Sequence, residues 1–309
     1  MTKRIACVGH LTDTTFAYAF EGFSRRASKP PIIVDLSVSG SGFWGHYKEG
    51  SAECRVRSGL IDVRLDRDEV ALYHRLLPTF QTIRCGTDRW RGHRIAHYFF
   101  ERLLDTRFFK RIINPWMAGW SNGTRPIHYR FLASVGFLVP PWIISNDPEE
   151  VQDFLAQNNA EVFVKSVSFH RTISTRFSEY HSRDLQRLLN CPALFQKAVP
   201  GADVRVHVVK SNCFGVKIAS NCDDYRYPGN GVVHYSAVDV PEAIARLSVD
   251  ATRQLGLVFS GIDFKICQRS GEWYCLEINP MPGYSFYDSH LDGRITAALA
   301  SYLEGSDCR

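Results

Sequence analysis

The first lobe of the chain is outlined by apolar runs of strand length on either side of a helical pattern. Residues 4–9 and 32–36 are such runs, and residues 16–25 lie between them with helical spacing of apolar side chains. Short apolar runs bounded by loops indicate buried strands. Two such strands separated by a helix are typical of a βαβ unit, which favours a parallel sheet. The sequence therefore predicts an α/β start to the fold.

Near the other end, two alternating runs predict a β-hairpin with a polar face. Residues 261–267 and 273–279 alternate, and the five residues between them include a glycine. Strand alternation around a short glycine-containing connection indicates a hairpin. With the turn centred on Ser270, Asp263 lies opposite Glu277. The other face carries residues suited to a core, namely Ile262, Phe264, Ile266, Tyr274, Leu276 and Ile278.

The polar face of this hairpin brings three oxygen-bearing side chains together. Asn279 lies two residues after Glu277, so it shares the face of both acids. Like charges directly opposite each other destabilise a sheet, and a divalent cation removes that objection. Carboxylate and amide oxygens suit Mg²⁺, which keeps positions open for phosphate and water. We expect Asp263, Glu277 and Asn279 to bind Mg²⁺, and a solvated face with two incidental acids is the alternative.

Composition limits the other classes of function. The 309 residues exceed a usual single core, so two or three lobes are expected. A net charge of +5 without a long basic run suits an anionic small substrate better than nucleic acid. No apolar segment reaches the length of a membrane span, and the start is too short in apolar residues for a secretory signal. The nine cysteines form no CxxC pair, which favours reduced thiols and a cytoplasmic location.

Five motifs in order resemble the ATP-grasp superfamily of carboxylate–amine ligases. The resemblance covers roughly residues 112–303 and is greatest to the ribosomal-protein glutamate ligases and to peptide macrocyclases of the microviridin (graspetide) type. The motifs are VPPWIISNDP at residues 139–148, FVKS at 163–166, FQKAVPGADVRV at 195–206, GID at 261–263 and LEINPMPG at 276–283.

The resemblance implies an α/β protein with α+β lobes, namely the ATP-grasp fold after a small α/β pre-grasp domain. The expected domains are residues 1–113, 114–192 and 193–309. The implied activity is that of an ADP-forming ligase, which uses ATP and one or two Mg²⁺ ions. It activates a carboxylate as an acyl phosphate and joins it to an amine of an amino acid or peptide. A homodimer is possible, and no membrane or nucleic-acid partner is expected.

The resemblance also assigns roles to individual residues. Asp263, Glu277 and Asn279 match the metal ligands, with Glu277 between two ions. Lys165 matches the lysine for the α- and β-phosphates, and Arg125 stands where relatives often have a second phosphate-facing lysine. The hinge over adenine is Gln196, Lys197, Ala198 and Val199, and Asp203 lies near the ribose. The cations for the γ-phosphate, the acyl phosphate or the substrate carboxylate are Arg205, Lys217 and Arg226.

Two departures from the family pattern leave other functions open. Residues 166–170 contain no glycine where relatives have a glycine-rich flap, and Lys197 replaces a common acid. A non-catalytic nucleotide-binding regulatory protein is therefore one alternative. Another is a macrocyclase that forms side-chain ester or amide bonds within a ribosomal precursor peptide. His170 is a candidate acid or base, and Tyr284 and Tyr287 are candidates for the acceptor pocket.

Overall fold

The computed structural model describes residues 2–36, 43–58, 61–76, 88–105, 107–120, 122–167, 174–177, 185–220 and 232–306. These ranges form four β-sheets with helices packed against them. Asp263, Glu277 and Asn279 lie in the last sheet, and the other elements fix its position. None of the helices in these ranges combines the length and the apolar character that a membrane span requires.

The first sheet is parallel and begins with the predicted βαβ unit. Asp13 caps the intervening helix by accepting a hydrogen bond from the Phe16 amide at 2.8 Å, as a good N-cap residue does. The sheet order is β2-β1-β6-β7, and each pair is parallel, which confirms the expectation from the sequence. Its elements are β1 (Arg4–Gly9), α1 (Thr14–Arg26), β2 (Ile32–Asp35), β6 (Val70–His74) and β7 (Ile112–Ile113).

A small antiparallel sheet lies beside the first one and shares its core. Helix α2 packs Phe100 and Leu103 into a buried cluster with Val56 and Leu65 from this sheet. The order is β3-β4-β5. The elements are β3 (Trp44–Tyr47), β4 (Glu53–Ser58), β5 (Ile61–Asp66) and α2 (Asp88–Asp105).

The central sheet is antiparallel and has the order β10-β9-β11-β8. Ala193–Lys197, which the sequence assigned to the third domain, pairs on both sides within this sheet. Helix α3 ends at Gly136, whose φ of 105° suits glycine. The elements are α3 (Arg125–Val135), β8 (Trp142–Ser145), α4 (Pro148–Gln157), β9 (Val162–Lys165), β10 (Thr175–Arg176) and β11 (Ala193–Lys197).

The fourth sheet is antiparallel, with the order β14-β13-β12-β15-β16. One face packs Val206 and Ile262 against α3 and a later helix. The other face packs Val209 and Val216 into a cluster that includes Ile5 of the first sheet. The elements are β12 (Gly201–Val209), β13 (Asn212–Ser220), β14 (Val233–Val238), α5 (Glu242–Gln254), β15 (Phe259–Cys267), β16 (Trp273–Asn279), α6 (Ser285–Ser289) and α7 (Arg294–Glu304).

A β-bulge in the last hairpin corrects one part of the sequence prediction. Asp263 pairs with Glu277, as expected, but the register shifts at the next position and Phe264 pairs with Cys275. The extra residue reverses the alternation of β16 on the turn side of the bulge. Cys275 therefore enters the core, and Tyr274 and Leu276, which were expected there, do not.

Asn114 joins the first sheet to the fourth. Its side-chain amide donates to the carbonyls of Phe259 and Pro280 at 2.6 and 2.7 Å. Its oxygen accepts from the amides of Val258 and Phe259 at 2.9 and 3.0 Å. The residue is 7% exposed, so water does not compete for these bonds. The side chain thus fixes where β15 begins and where the chain leaves β16.

We predict that Asn114→Ala lowers the free energy of unfolding by about 2–4 kcal/mol, because several buried backbone groups lose their partners. Chemical denaturation measures this. Asn158→Ala is the matched control, since Asn158 is also 7% exposed but its side-chain amide donates to a local carbonyl, that of Phe154 in the helix that Asn158 caps. Equal losses in the two variants would contradict the role of Asn114 as a joint between sheets.

His74 gives the fold a specific sensitivity to acid. Burial lowers the pKa of His74 from 6.5 to about 4. The unfolded chain therefore binds an extra proton between these values, so stability falls as the pH falls through this window. Nε2 of His74 lies 2.6 Å from the carbonyl of Asn114, so the ring donates this bond while Nδ1 carries no proton.

We predict that His74→Gln reduces the loss of stability between pH 7 and pH 5 by about 2 kcal/mol. The glutamine amide keeps the bond to Asn114 and does not titrate. Denaturation curves of both proteins at the two pH values measure the difference. An identical pH dependence in the variant would show that His74 is not the titrating group.

Candidate active site

The fourth sheet brings the three predicted metal ligands together. Asp263 and Glu277 are cross-strand partners on β15 and β16, and Gly261 is the partner of Asn279. All three polar side chains therefore project from one face of the sheet. Asn279 is 6% exposed, and its side-chain oxygen accepts a hydrogen bond from the Met281 amide at 3.3 Å. The predicted register of the acids is confirmed.

Arg205 on β12 forms an ion pair with Asp263 on the adjacent strand β15. The two residues are partners in register on β12 and β15, and the guanidinium donates to the carboxylate. The arginine side chain is only 7% exposed. A Cβ built on Gly261 would lie 2.5 Å from a guanidinium nitrogen of Arg205, so a glycine is needed there. The ring of Tyr287 lies 6.0 Å from the guanidinium carbon, within reach of a cation–π contact.

A second arginine reaches Glu277 from helix α3. Arg125 is the first residue of α3, and its guanidinium lies 3.7 Å from the Glu277 carboxylate. The positive end of the helix dipole adds to this attraction. The two arginines therefore offset the electrostatic repulsion between the adjacent carboxylates of Asp263 and Glu277. The paired acids alone do not require a metal, which corrects that step of the sequence argument.

Lys165 and Gln196 form a separate polar pair in the central sheet. The lysine ammonium donates to the side-chain oxygen of Gln196 at 2.6 Å. Gln196 is buried, with Phe163 and Trp142 as its partners on the flanking strands. The lysine is therefore held at the end of β9 by a buried acceptor on β11.

Tyr129 of α3 contacts the central sheet, since its ring centroid lies 5.4 Å from that of Trp142, the strand partner of Gln196. Burial raises the pKa of its hydroxyl, the charge of Arg125 lowers it, and Glu277 raises it. Arg125 on the same helix reaches Glu277, so α3 contacts both the strand beside Gln196 and one of the two carboxylates.

The predicted hinge is only partly open to a ligand. The amide of Lys197 donates to the carbonyl of Pro141, and that of Ala198 donates to Glu161, both at 2.8 Å. These two N–H groups are therefore engaged within the fold. The backbone hydrogen bonds found in the described ranges do not include the amide of Val199, which is half-buried.

The remaining predicted residues differ in position. Asp203 lies on the same face as Arg205 and accepts a hydrogen bond from Lys265 at 2.9 Å. Lys217 does not lie on the face of this group, and its predicted role stays a prediction. It is the register partner of Val204, a core residue, so it projects from the other face of the sheet. Arg226 and His170 lie outside the described residues.

The segment after the predicted metal ligands is fixed by residues that the sequence argument missed. Arg75 donates to the carbonyl of Pro282 at 2.8 Å and pairs with Asp13 at 3.2 Å. Arg75 directly follows a buried parallel strand, the place where functional polar residues gather, and this was the available signal. Tyr284 is fully buried, so it does not line an open acceptor pocket.

The donor set fits Mg²⁺ better than a transition metal. Across the ranges that the structure covers, no cluster of three or more His, Cys, Asp and Glu side chains has the arrangement of a metal site. The candidate set is instead two carboxylates and one amide, all with oxygen donors. Hard oxygen ligands in small number suit Mg²⁺ bound together with a phosphate.

No family model and no curated protein matches the sequence. Solved structures do match over nearly the whole chain. The macrocyclase MdnC from Microcystis aeruginosa MRC, bound with its precursor peptide MdnA, is 18% identical with a TM-score of 0.80, and the match covers 98% of this chain and 99% of that one.

Two further structures show the same likeness. The ATP-grasp ligase PsnB, complexed with a phosphomimetic variant of a minimal precursor, Mg and ADP, is 20% identical with a TM-score of 0.77, covering 98% and 100%. The RiPP-associated ATP-grasp ligase of Chryseobacterium gregarium, in complex with ADP and a leader and core peptide, is 16% identical with a TM-score of 0.77, covering 99% and 98%. The chain has the fold of the ATP-grasp ligases over nearly its whole length.

Proposed function

We propose that this chain is an ATP- and Mg²⁺-dependent ligase that acts on a peptide. It activates a carboxylate as an acyl phosphate and joins it to an amine or hydroxyl group, with release of ADP and phosphate. One observation carries the proposal. Asp263, Glu277 and Asn279 share one face of a sheet with Arg205, and Arg125 reaches the same face, within an ATP-grasp fold.

The metal site consists of Asp263, Glu277 and Asn279. Bound there, Mg²⁺ supplies charge neutralisation for the phosphates of the nucleotide. Arg205 and Arg125 neutralise the acids in the structure, and their guanidinium forks equally suit phosphate oxygens. We assign Arg205 to the transferred phosphate, because it is the more buried of the two and lies beside Asp263.

The nucleotide lies between the central and the fourth sheets in this proposal. Lys165, held by Gln196, binds the α- and β-phosphates. Adenine uses the amide of Val199 and hinge carbonyls, since the amides of Lys197 and Ala198 are engaged. Asp203 binds the ribose. The roles of Lys217 and Arg226 stay sequence predictions.

The chemistry is a transfer in two steps. A carboxylate oxygen of the substrate attacks the γ-phosphorus of ATP, and ADP leaves. An amine or hydroxyl of the acceptor then attacks the acyl carbon, phosphate leaves, and the acceptor loses a proton. Phosphoryl transfer needs positioning and charge neutralisation more than covalent help. The two arginines and Lys165 supply both around the reacting oxygens.

A peptide is the favoured substrate because the structural likeness extends to proteins solved with precursor peptides. When both reacting groups belong to one peptide, the product is a macrocycle that has lost one water for each bond. The net charge of +5 suits a substrate rich in Asp or Glu. Addition of a free amino acid to a carboxylate is the alternative use of the same site.

We predict that the chain converts ATP to ADP and phosphate only with Mg²⁺ and an acceptable peptide, such as a Thr-, Ser-, Asp- and Glu-rich peptide encoded beside its gene. Mass spectrometry should show loss of one water for each bond.

Glu277→Gln should lower turnover by about 100-fold or more, since a charged ligand is lost. Glu272→Gln is the matched control in the turn of the same hairpin and should keep full activity.

Each other outcome has a distinct meaning. Wild-type turnover by Glu277→Gln would refute the metal assignment. Addition of an amino acid to the peptide, with a corresponding gain of mass, would favour the amino-acid ligase. Binding of Mg²⁺ and ATP without any turnover on these peptides would favour the non-catalytic regulatory protein.

We also predict that Gly261→Ala lowers turnover by roughly 100-fold, because the new methyl group meets Pro282 at 2.7 Å and displaces the guanidinium of Arg205, 2.5 Å away, from the reacting phosphate. Gly119→Ala is the control, since a Cβ there meets no atom within 4 Å. Peptide-dependent ADP release measures both variants. Full activity of Gly261→Ala would show that the position of Arg205 is unimportant.

A further inference from the structure

Strand β16, which carries Glu277 and Asn279, is the outermost strand of its sheet. Its inner edge pairs with β15, so its outward backbone groups need partners from outside the sheet. Near the turn, the amide of Cys275 donates to the carbonyl of Leu138 at 2.8 Å. Between the two proposed metal ligands, the outward amide belongs to Ile278, which is fully buried.

His128 supplies the partner for that amide. Nε2 of His128 accepts a hydrogen bond from the Ile278 amide at 2.9 Å, and the histidine is 3% exposed. A backbone amide can only donate, so this ring nitrogen carries no proton. His128 lies one helical turn after Arg125 on α3, and both residues face β16. The helix therefore contacts the strand through the Glu277 carboxylate and through the backbone.

We infer that His128 is a positioning residue for the proposed magnesium site. Its bond fixes the backbone between Glu277 and Asn279, so that both side chains stay on the face of Asp263. The register of this strand has a bulge only two residues away, so sheet pairing alone constrains it weakly. Groups that orient metal ligands without touching the metal affect metal affinity strongly. The inference rests on the proposed function.

Three variants of the full-length protein test this role. His128→Leu removes the acceptor, and His128→Gln keeps an acceptor at a similar distance. Leu132→Ala is the control for lost packing, since Leu132 is a fully buried residue one turn further along the same helix. Binding of ADP is measured by calorimetry with Mg²⁺ and with a chelator, and thermal unfolding reports the stability of each variant.

We predict that His128→Leu weakens binding of ADP with Mg²⁺ by about tenfold, while binding of ADP in chelator is unchanged. His128→Gln should restore most of the lost affinity. Leu132→Ala should lower the unfolding temperature without changing the ratio of the two affinities. A purely structural histidine would behave like Leu132.

Two results would overturn the inference. If the wild-type chain binds ADP more tightly with Mg²⁺ and His128→Leu keeps the same ratio, then His128 has no positioning role and the proposed function still stands. If the wild-type chain shows no effect of Mg²⁺ on nucleotide binding, then the proposed function fails and the inference fails with it.

Discussion

Two carboxylates held side by side on a sheet must be neutralised, and this constraint organises the region around Asp263 and Glu277. Strand β12, which pairs with β15, supplies Arg205 to Asp263, and the start of α3 supplies Arg125 to Glu277. Gly261 leaves the space through which the first guanidinium passes. Since an unpaired buried charge is costly, the strand, the helix and the glycine are constrained together. A change in any one of these three elements therefore disturbs the charge balance around the two acids.

Two residues from the first lobe fix the start of β15 and the turn that follows β16. Asn114 binds the start of β15 and the carbonyl of Pro280, and Arg75 binds the carbonyl of Pro282. Both residues come from the parallel sheet of the first lobe or its exit. The acids belong to the fourth sheet, but the turn that follows them is set by the first. A change in the N-terminal lobe can thus alter the site without contact to a ligand.

The sequence predicted the hairpin and its acids because strand alternation is local. Ile266 pairs with Trp273, whereas a turn centred on Ser270 would have paired it with Tyr274. The bulge then restores the expected pairing of Asp263 with Glu277. The register of the acids was therefore right although the turn was not. The face of Lys217 was missed because family likeness fixes a position along a strand, and only the register with Val204 shows the side. His128 and Arg75 were missed because their partners are distant backbone groups, which leave no pattern in the sequence.

In the proposed function, each arginine pairs with a carboxylate before the ligands bind and with a phosphate afterwards. In the structure the guanidinium groups neutralise the acids. When Mg²⁺ takes those acids, the same guanidinium groups need new anions, and the phosphates supply them. The metal without the nucleotide would draw the carboxylates away from the arginines, and the nucleotide without the metal would draw the arginines away from the carboxylates. Both half-filled states are penalised, so the affinities for metal and nucleotide must be coupled, and each ligand raises the affinity for the other by the same factor.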